Sequence, residues 1–227
     1  MTEDTKAAGG VEAVNRALAI LGSFAVGTEQ QTLAQIAAAT GFYKSTILRL
    51  ARSLELGGYL SRDANGLFSL GPQPLRLAAI YKRGLRLEDQ VRPVLRLLVE
   101  QCGESASFFR PEGNRRLCLY REESPRAIRD HIMEGDLLPL DVGAAGRVLM
   151  RAMCNIPVEG SGLVASIGER DPETAAIAAP VFDHNGLVGA LTLSGPRARF
   201  DEPSVAAMSP LLAEQARLLT ARLGGNR

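Results

Sequence analysis

Two hydrophobic periods divide this chain. The first part repeats its apolar residues every three or four positions, the mark of amphipathic helices, and the later part shifts toward alternation, the mark of strands. Val11 to Val26 predicts a helix with a stripe of Val14, Leu18, Leu21 and Phe24; Ala17 and Ile20 lie beside the stripe, and Asn15 and Arg16 opposite. The segment 27–31 reads as a loop. From Thr32 to Leu70 the pattern is dense. Leu33, Ile36 and Ala37 share one face of a short helix, which Thr40-Gly41 ends. Ile47, Leu50, Ala51 and Leu54 form the stripe of a second helix, with Ser45 as its expected cap and Gly57-Gly58 as its stop. Tyr59 to Arg62 and Leu67 to Leu70 alternate around Asp63-Ala64-Asn65-Gly66, a hairpin signal. Two helices around a Gly turn, followed by a hairpin, predict a winged helix-turn-helix.

Beyond Gly71-Pro72, the periodic run Leu75 to Arg83 reads as a connecting helix interrupted at Gly84. Leu85 to Cys102 reads as a further helix, with Leu87, Val91, Val94, Leu95, Leu98 and Val99 inward; Pro93 predicts a kink or a fresh start there. Strands are expected at 105–110 and 116–121 around a turn at Pro111 to Asn114. Another is expected from Ala127 to Met133, with His131 in it, and another from Leu163 to Ile167. A pair, Ala175 to Phe182 with Leu187 to Ser194, surrounds Asp183-His184-Asn185-Gly186. Between them Gly143-Ala144-Ala145-Gly146 opens a helix running from about Arg147 to Met153, and Pro203 to Leu223 closes the chain as a helix. Hairpin strands with flanking helices make an α+β domain whose sheet is mostly antiparallel. The expected organisation is a disordered tail at 1–10, a winged helix-turn-helix at 11–71, a linker helix at 72–84 and a second domain at 85–227.

Composition narrows the function classes. The 227 residues are 46% hydrophobic and 22% charged, with no Trp. No apolar run approaches the ~20 residues of a membrane span. The first ten residues are polar and lack a signal peptide's apolar core, so a cytoplasmic location is expected. Cys102, Cys118 and Cys154 form neither a Cys-x-x-Cys motif nor an even set, so buried or partly buried thiols are expected rather than disulfides or a metal site. The net charge of +1 is unevenly spread. Residues 1–84 hold nine Lys/Arg against six Asp/Glu, and residues 85–227 hold seventeen against nineteen. That is the sign expected if the first part meets phosphate.

The candidate chemistry follows that division. Tyr43, Lys44, Ser45, Thr46, Arg49 and Arg52 lie at or near the start of the second helix, opposite its apolar stripe. Hydroxyls and guanidinium groups there suit phosphate oxygens and base edges. Arg62 and Asn65 sit on the hairpin, where a wing reaches the backbone or minor groove. Gly143 to Gly146 brings small residues to a helix start, which favours a bound anion and equally suits a tightly packed turn. His131 and His184 belong to no acid-and-nucleophile set. His184 reads as a polar turn residue, and Arg115-Arg116 as a solvated hairpin edge. No phosphate loop, paired-carboxylate site or nucleophile elbow is present. No catalytic residue, metal site or cofactor is expected.

The order of these segments resembles the IclR family of bacterial transcriptional regulators. The carrying residues are Val14 to Leu21, Thr40-Gly41 with Lys44-Ser45-Thr46 and Arg49-Leu50, and Leu54 to Tyr59. In the second half they are Gly135 with Pro139-Leu140, Ala145-Gly146-Arg147, Ala178 to Asp183 and Leu193 to Pro196. The resemblance covers about Val11 to Leu223. It implies a linker helix and a GAF-like effector domain, and a homodimer or dimer of dimers on palindromic operator DNA. It implies repression or activation of catabolic genes in response to a small carboxylate or aromatic acid. It also implies that Ala144, Ala145, Gly146, Ser166, Ala176, Thr192 and Ser194 line the effector pocket. One departure stands out: family members carry several tens of residues where this chain has only 155–161. The shortening keeps an alternative open, a DNA-binding dimer whose second domain only oligomerises.

Overall fold

The computed structural model describes residues 10–154, 156 and 162–225. The chain divides into two compact units that meet between Leu85 and Arg86.

The first unit begins with α1 (Glu12–Leu21), shorter than its apolar stripe predicts. Gly22 follows it, and the Ser23 hydroxyl donates to the Ile20 carbonyl at 2.7 Å, taking an acceptor that a continuing helix would use. Phe24 therefore lies beyond the helix. Ile20, not Val14 or Leu18, is the fully buried residue of α1, and those two stay exposed. The segment read as a loop contains β1 (Gln30–Gln31), which pairs with β3 (Phe68–Leu70). α2 (Leu33–Thr40) starts at a reciprocal cap: Gln35 N–H donates to the Thr32 hydroxyl at 3.2 Å, and Thr32 N–H donates to the Gln35 side-chain oxygen Oε1 at 2.8 Å. It ends at Gly41, whose φ of +72° only glycine adopts cheaply. α3 (Lys44–Leu56) follows. Its cap residue is Tyr43, without a side-chain cap bond, so the expected Ser45 cap is corrected: Ser45 lies inside the first turn. β2 (Leu60–Arg62) pairs with β3 around the Asp63 turn, where the Asp63 carboxylate accepts from the amides of Asn65 and Leu67. Ile20, Ile36, Ile47, Leu50, Ala51, Leu60 and Phe68 form this unit's core. α4 (Gln73–Leu85) runs through Gly84. The expected interruption there is absent, because a helical Gly costs only about 1 kcal/mol. The break falls at Arg86, with φ of +51°.

The second unit opens with α5 (Glu88–Cys102), continuous through Pro93. Burial of Val91, Val94, Leu95 and Leu98 outweighs the one donor that proline removes. β4 (Ser105–Glu112) and β5 (Arg115–Glu122) extend through Pro111, so the turn is only Gly113-Asn114. No strand forms over 127–133, and His131 is in an exposed loop. That backbone is held by side chains instead: Arg199 donates to the Ile128 carbonyl and Arg121 to the Asp130 carbonyl. β6 (Leu137–Pro139), α6 (Gly143–Met153), β7 (Val164–Ile167), β8 (Thr174–Asp183), β9 (Gly186–Pro196) and α7 (Glu202–Arg222) complete the fold. The six strands form one antiparallel sheet in the order β6-β5-β4-β9-β8-β7. Strand alternation sends Ala178, Ala190 and Phe109 toward α6, while α5 and α7 pack on each other and on the sheet. The shortened connection at 155–161 lies outside the described residues apart from Ile156.

Candidate functional site

Two places set cations that make no ion pair among the described residues beside other groups able to hold an anion, and they differ in depth.

The first is the outer face of α3. Helical spacing puts Ser45, Arg49 and Arg52 on one side, opposite the buried Ile47, Leu50 and Ala51. Tyr43, at 86% exposure, and Lys44 precede them at the helix start; Thr46 is half-buried at the edge of the core. Among the described residues, Lys44, Arg49 and Arg52 make no ion pair. The first-turn amides of α3 lack acceptors within the helix, and no side chain caps them. On the hairpin, the Arg62 guanidinium stacks 4.9 Å over the Phe68 ring, and Asn65 is exposed at the tip. The face therefore offers hydroxyls, guanidinium groups and free amides to an anionic surface.

The second lies between α6 and the sheet. It is a cavity lined by Ala144, Ala145, Ser166, Ala176, Thr192 and Ser194, six of the seven residues named from sequence. Strand register explains the convergence: Ser166 opposes Ala176, and Ala176 opposes Ser194, so the three form one row across β7, β8 and β9. Gly146 is not in the lining. A Cβ there would stand 2.2 Å from the Leu140 carbonyl oxygen, so this glycine serves close packing. The centre of a water-sized particle has about 40 Å³ to move in. At about 10–15 Å³ for one water, that suits a few waters or a small organic anion.

The charged lining is what the sequence did not reveal. Arg116, read as a solvated edge, is 3% exposed. It donates to the Pro139 carbonyl and, at 2.6 Å, to the Val142 carbonyl, but its Nε has no partner. Among the described residues it makes no ion pair. Burial, and next the charge of Arg170, lower its pKa to about 10, so it remains a cation at neutral pH. Asp130 closes the other end. One carboxylate oxygen accepts from Arg121 at 2.7 Å and the other from the Ser194 hydroxyl at 2.9 Å; Arg170 lies 3.9 Å from the second oxygen. The Thr192 hydroxyl is buried and has no partner. Glu169 stands at the rim, accepting from Gly143 N–H at 3.1 Å and from Arg147 at 2.8 Å. The phase of Arg116 with Cys118 on β5, which faces the same side as Phe109, was the available sign that it points inward; Asp130, in an irregular loop, had none. Burial pushes the Cys118 thiol up to about 12, leaving it neutral. Among the described residues, no group of three metal-ligating side chains exists and no helix is long and apolar enough to cross a membrane.

Residues 13–64 match the model of the IclR helix-turn-helix domain, and residues 158–221 that of the bacterial transcriptional regulator IclR C-terminal domain. The chain is 26% identical to the HTH-type transcriptional regulator KipR of Bacillus subtilis, over 85% of this chain and 90% of that one. It is 28% identical to the HTH-type transcriptional regulator BhcR of Paracoccus denitrificans, over 93% and 87%. A solved IclR homologue from Microbacterium hydrocarbonoxydans, complexed with 4-hydroxybenzoate, shares its fold with a TM-score of 0.77 at 22% identity, covering 93% of this chain and 98% of the other.

Proposed function

Because the chain belongs to the IclR family of bacterial transcriptional regulators, we propose that it recognises one operator through α3 and adjusts its binding to a small organic anion held beside α6. In this reading Arg49 and Arg52 reach base edges or phosphates of the major groove. Lys44, Ser45, Thr46 and Tyr43 engage the backbone near the free amides at the helix start, and Arg62 with Asn65 meets the adjoining groove as a wing. The observation that carries it is the α3 face, where three exposed cations make no ion pair opposite a well-packed stripe. A regulator of this kind acts in the cytoplasm, without catalysis.

The effector reading rests on Arg116, a buried cation without a carboxylate, facing a helix start and a hydroxyl without a partner. That chemistry fits a carboxylate. The homologue complexed with 4-hydroxybenzoate is a fold relative that holds an organic acid. The regulated genes are then those of catabolism of the sensed acid. The second unit acts as the effector domain after a linker at 72–84. Two copies meet a palindromic site as a homodimer or dimer of dimers, and α1 with its cap residue Val11 offers exposed Val11, Val14 and Leu18 on one face for that contact.

The test is fluorescence anisotropy of the full chain on DNA from just upstream of its own gene, at physiological salt with competitor DNA. Binding that resists competitor and responds to one of a panel of small acids is the expected result. Weak binding that disappears with salt, whatever the acid, contradicts a sequence-specific regulator of that site.

A further inference from the structure

The effector pocket already contains a carboxylate, and it belongs to the chain itself. Glu169 lies in the turn between β7 and β8. Its Oε2 accepts from Gly143 N–H, the first amide of α6, at 3.1 Å, and its Oε1 accepts from Arg147 at 2.8 Å. Val142, the cap residue, makes no side-chain cap bond, so Glu169 performs the capping from outside the helix. A carboxylate at a helix start is what the amides and dipole there favour.

The surroundings hold more capacity for an anion than Glu169 uses. The Arg116 Nε and the Thr192 Oγ1, both on residues 3% exposed, are without partners and line the same cavity. Arg170, next to Glu169, approaches a carboxylate only at 3.9 Å. Glu169 is itself lightly held: its side chain is about one third exposed, and so is that of Arg147. Exposed pairs of this kind contribute little, and the side chain can turn to water at small cost.

We propose that Glu169 is a built-in stand-in for the effector: an incoming small carboxylate takes the α6 amide from it and adds the Arg116 and Thr192 contacts that Glu169 does not make. This rests on the effector reading above. Displacement frees Glu169 and Arg147 together, and so changes how the 168–173 turn is tied to α6. Asp130 at the far wall, with its second oxygen near the cavity, favours an acid that also carries a donor, a hydroxy or amino acid, over a plain hydrocarbon acid.

Chemical rescue tests it. The full-length Glu169→Ala protein is melted with formate or acetate against sodium chloride at equal ionic strength, beside the wild type and the Glu169→Ala/Arg116→Met double variant. At anion concentrations near ten times Kd, a rise of about 3 °C is expected for Glu169→Ala, much less for the wild type, and none for the double variant. Glu169→Gln, which keeps the side chain's size, serves if the alanine protein does not fold. Equal shifts in wild type and Glu169→Ala, both lost with Arg116→Met, would overturn the stand-in role while leaving the effector pocket intact. No shift in any protein would overturn the stand-in and count against an anion pocket at this helix start.

Discussion

Two groups of cations, one in each unit, are used in opposite ways. In the second unit, Arg92 pairs with Glu88, Glu122 and Glu134, Arg121 with Asp130, Arg126 and Arg199 with Glu104, and Arg147 with Glu169. In the first unit, Lys44, Arg49 and Arg52 stand in solvent with no ion pair among the described residues. The first arrangement consumes charge to hold loops on a sheet, and the second keeps it available. Arg116 differs from these and from exposed arginines without an ion pair among the described residues, such as Arg115 and Arg197, because it is buried and still lacks a carboxylate. An exposed cation costs nothing to leave unpaired, since water solvates it. A buried one is costly unless something completes it. Exposure therefore separates a surface for a polyanion from a socket for one small anion, which the formal net charge of +1 does not reveal.

The contrast can be broken first where pairing is structural. Asp130→Ala leaves Arg121 buried with only the Ser107 hydroxyl and a carbonyl. We expect a loss of about 3–5 kcal/mol in the second unit's unfolding free energy, read by denaturant titration. A loss below about 1 kcal/mol would mean that the pair is not desolvated as the geometry requires. Next, Arg49→Ala on the free face is expected to weaken operator binding by about 1–3 kcal/mol in anisotropy, with the melting temperature unchanged. Unchanged operator affinity would remove Arg49 from the interface. The smallest effect is Lys44→Ala, which should weaken binding to all sequences alike and lower the slope of log affinity against log salt by about 1.

Legibility in the sequence followed the same division. The first unit is built from neighbours: Thr32 with Gln35, Thr40-Gly41, and Asp63 with Asn65 and Leu67 each act within five residues, so their pattern is visible in one dimension. Its misses were local as well, a first helix drawn five residues past its end and a cap assigned to Ser45 rather than Tyr43. The second unit is assembled across distance. Ser166, Ala176, Thr192 and Ser194 entered through resemblance, and strand register is what joins them. Asp130 reaches Arg121 from a loop that looked like a strand, because Ile128, Asp130 and Ile132 alternate with polar neighbours. A strand needs a ladder partner, however; β6 pairs only with 115–117 of β5, and further along that edge the Arg121 N–H donates to the Glu134 side chain instead. Gly84 and Pro93 misled in the other direction: a helical Gly costs only about 1 kcal/mol, and the buried face of α5 absorbs Pro93.

The most direct test of the central claim is one anisotropy experiment on the upstream DNA with Arg49→Ala and Arg116→Met side by side, with and without the acid to which the wild type responds. The account predicts a clean separation. Arg49→Ala binds DNA about 5- to 150-fold more weakly and keeps its response to the acid, whereas Arg116→Met binds like the wild type and ignores it. If Arg116→Met still responds fully, or Arg49→Ala binds as tightly as the wild type, the assignment of the exposed cations to DNA and the buried one to a small anion is wrong.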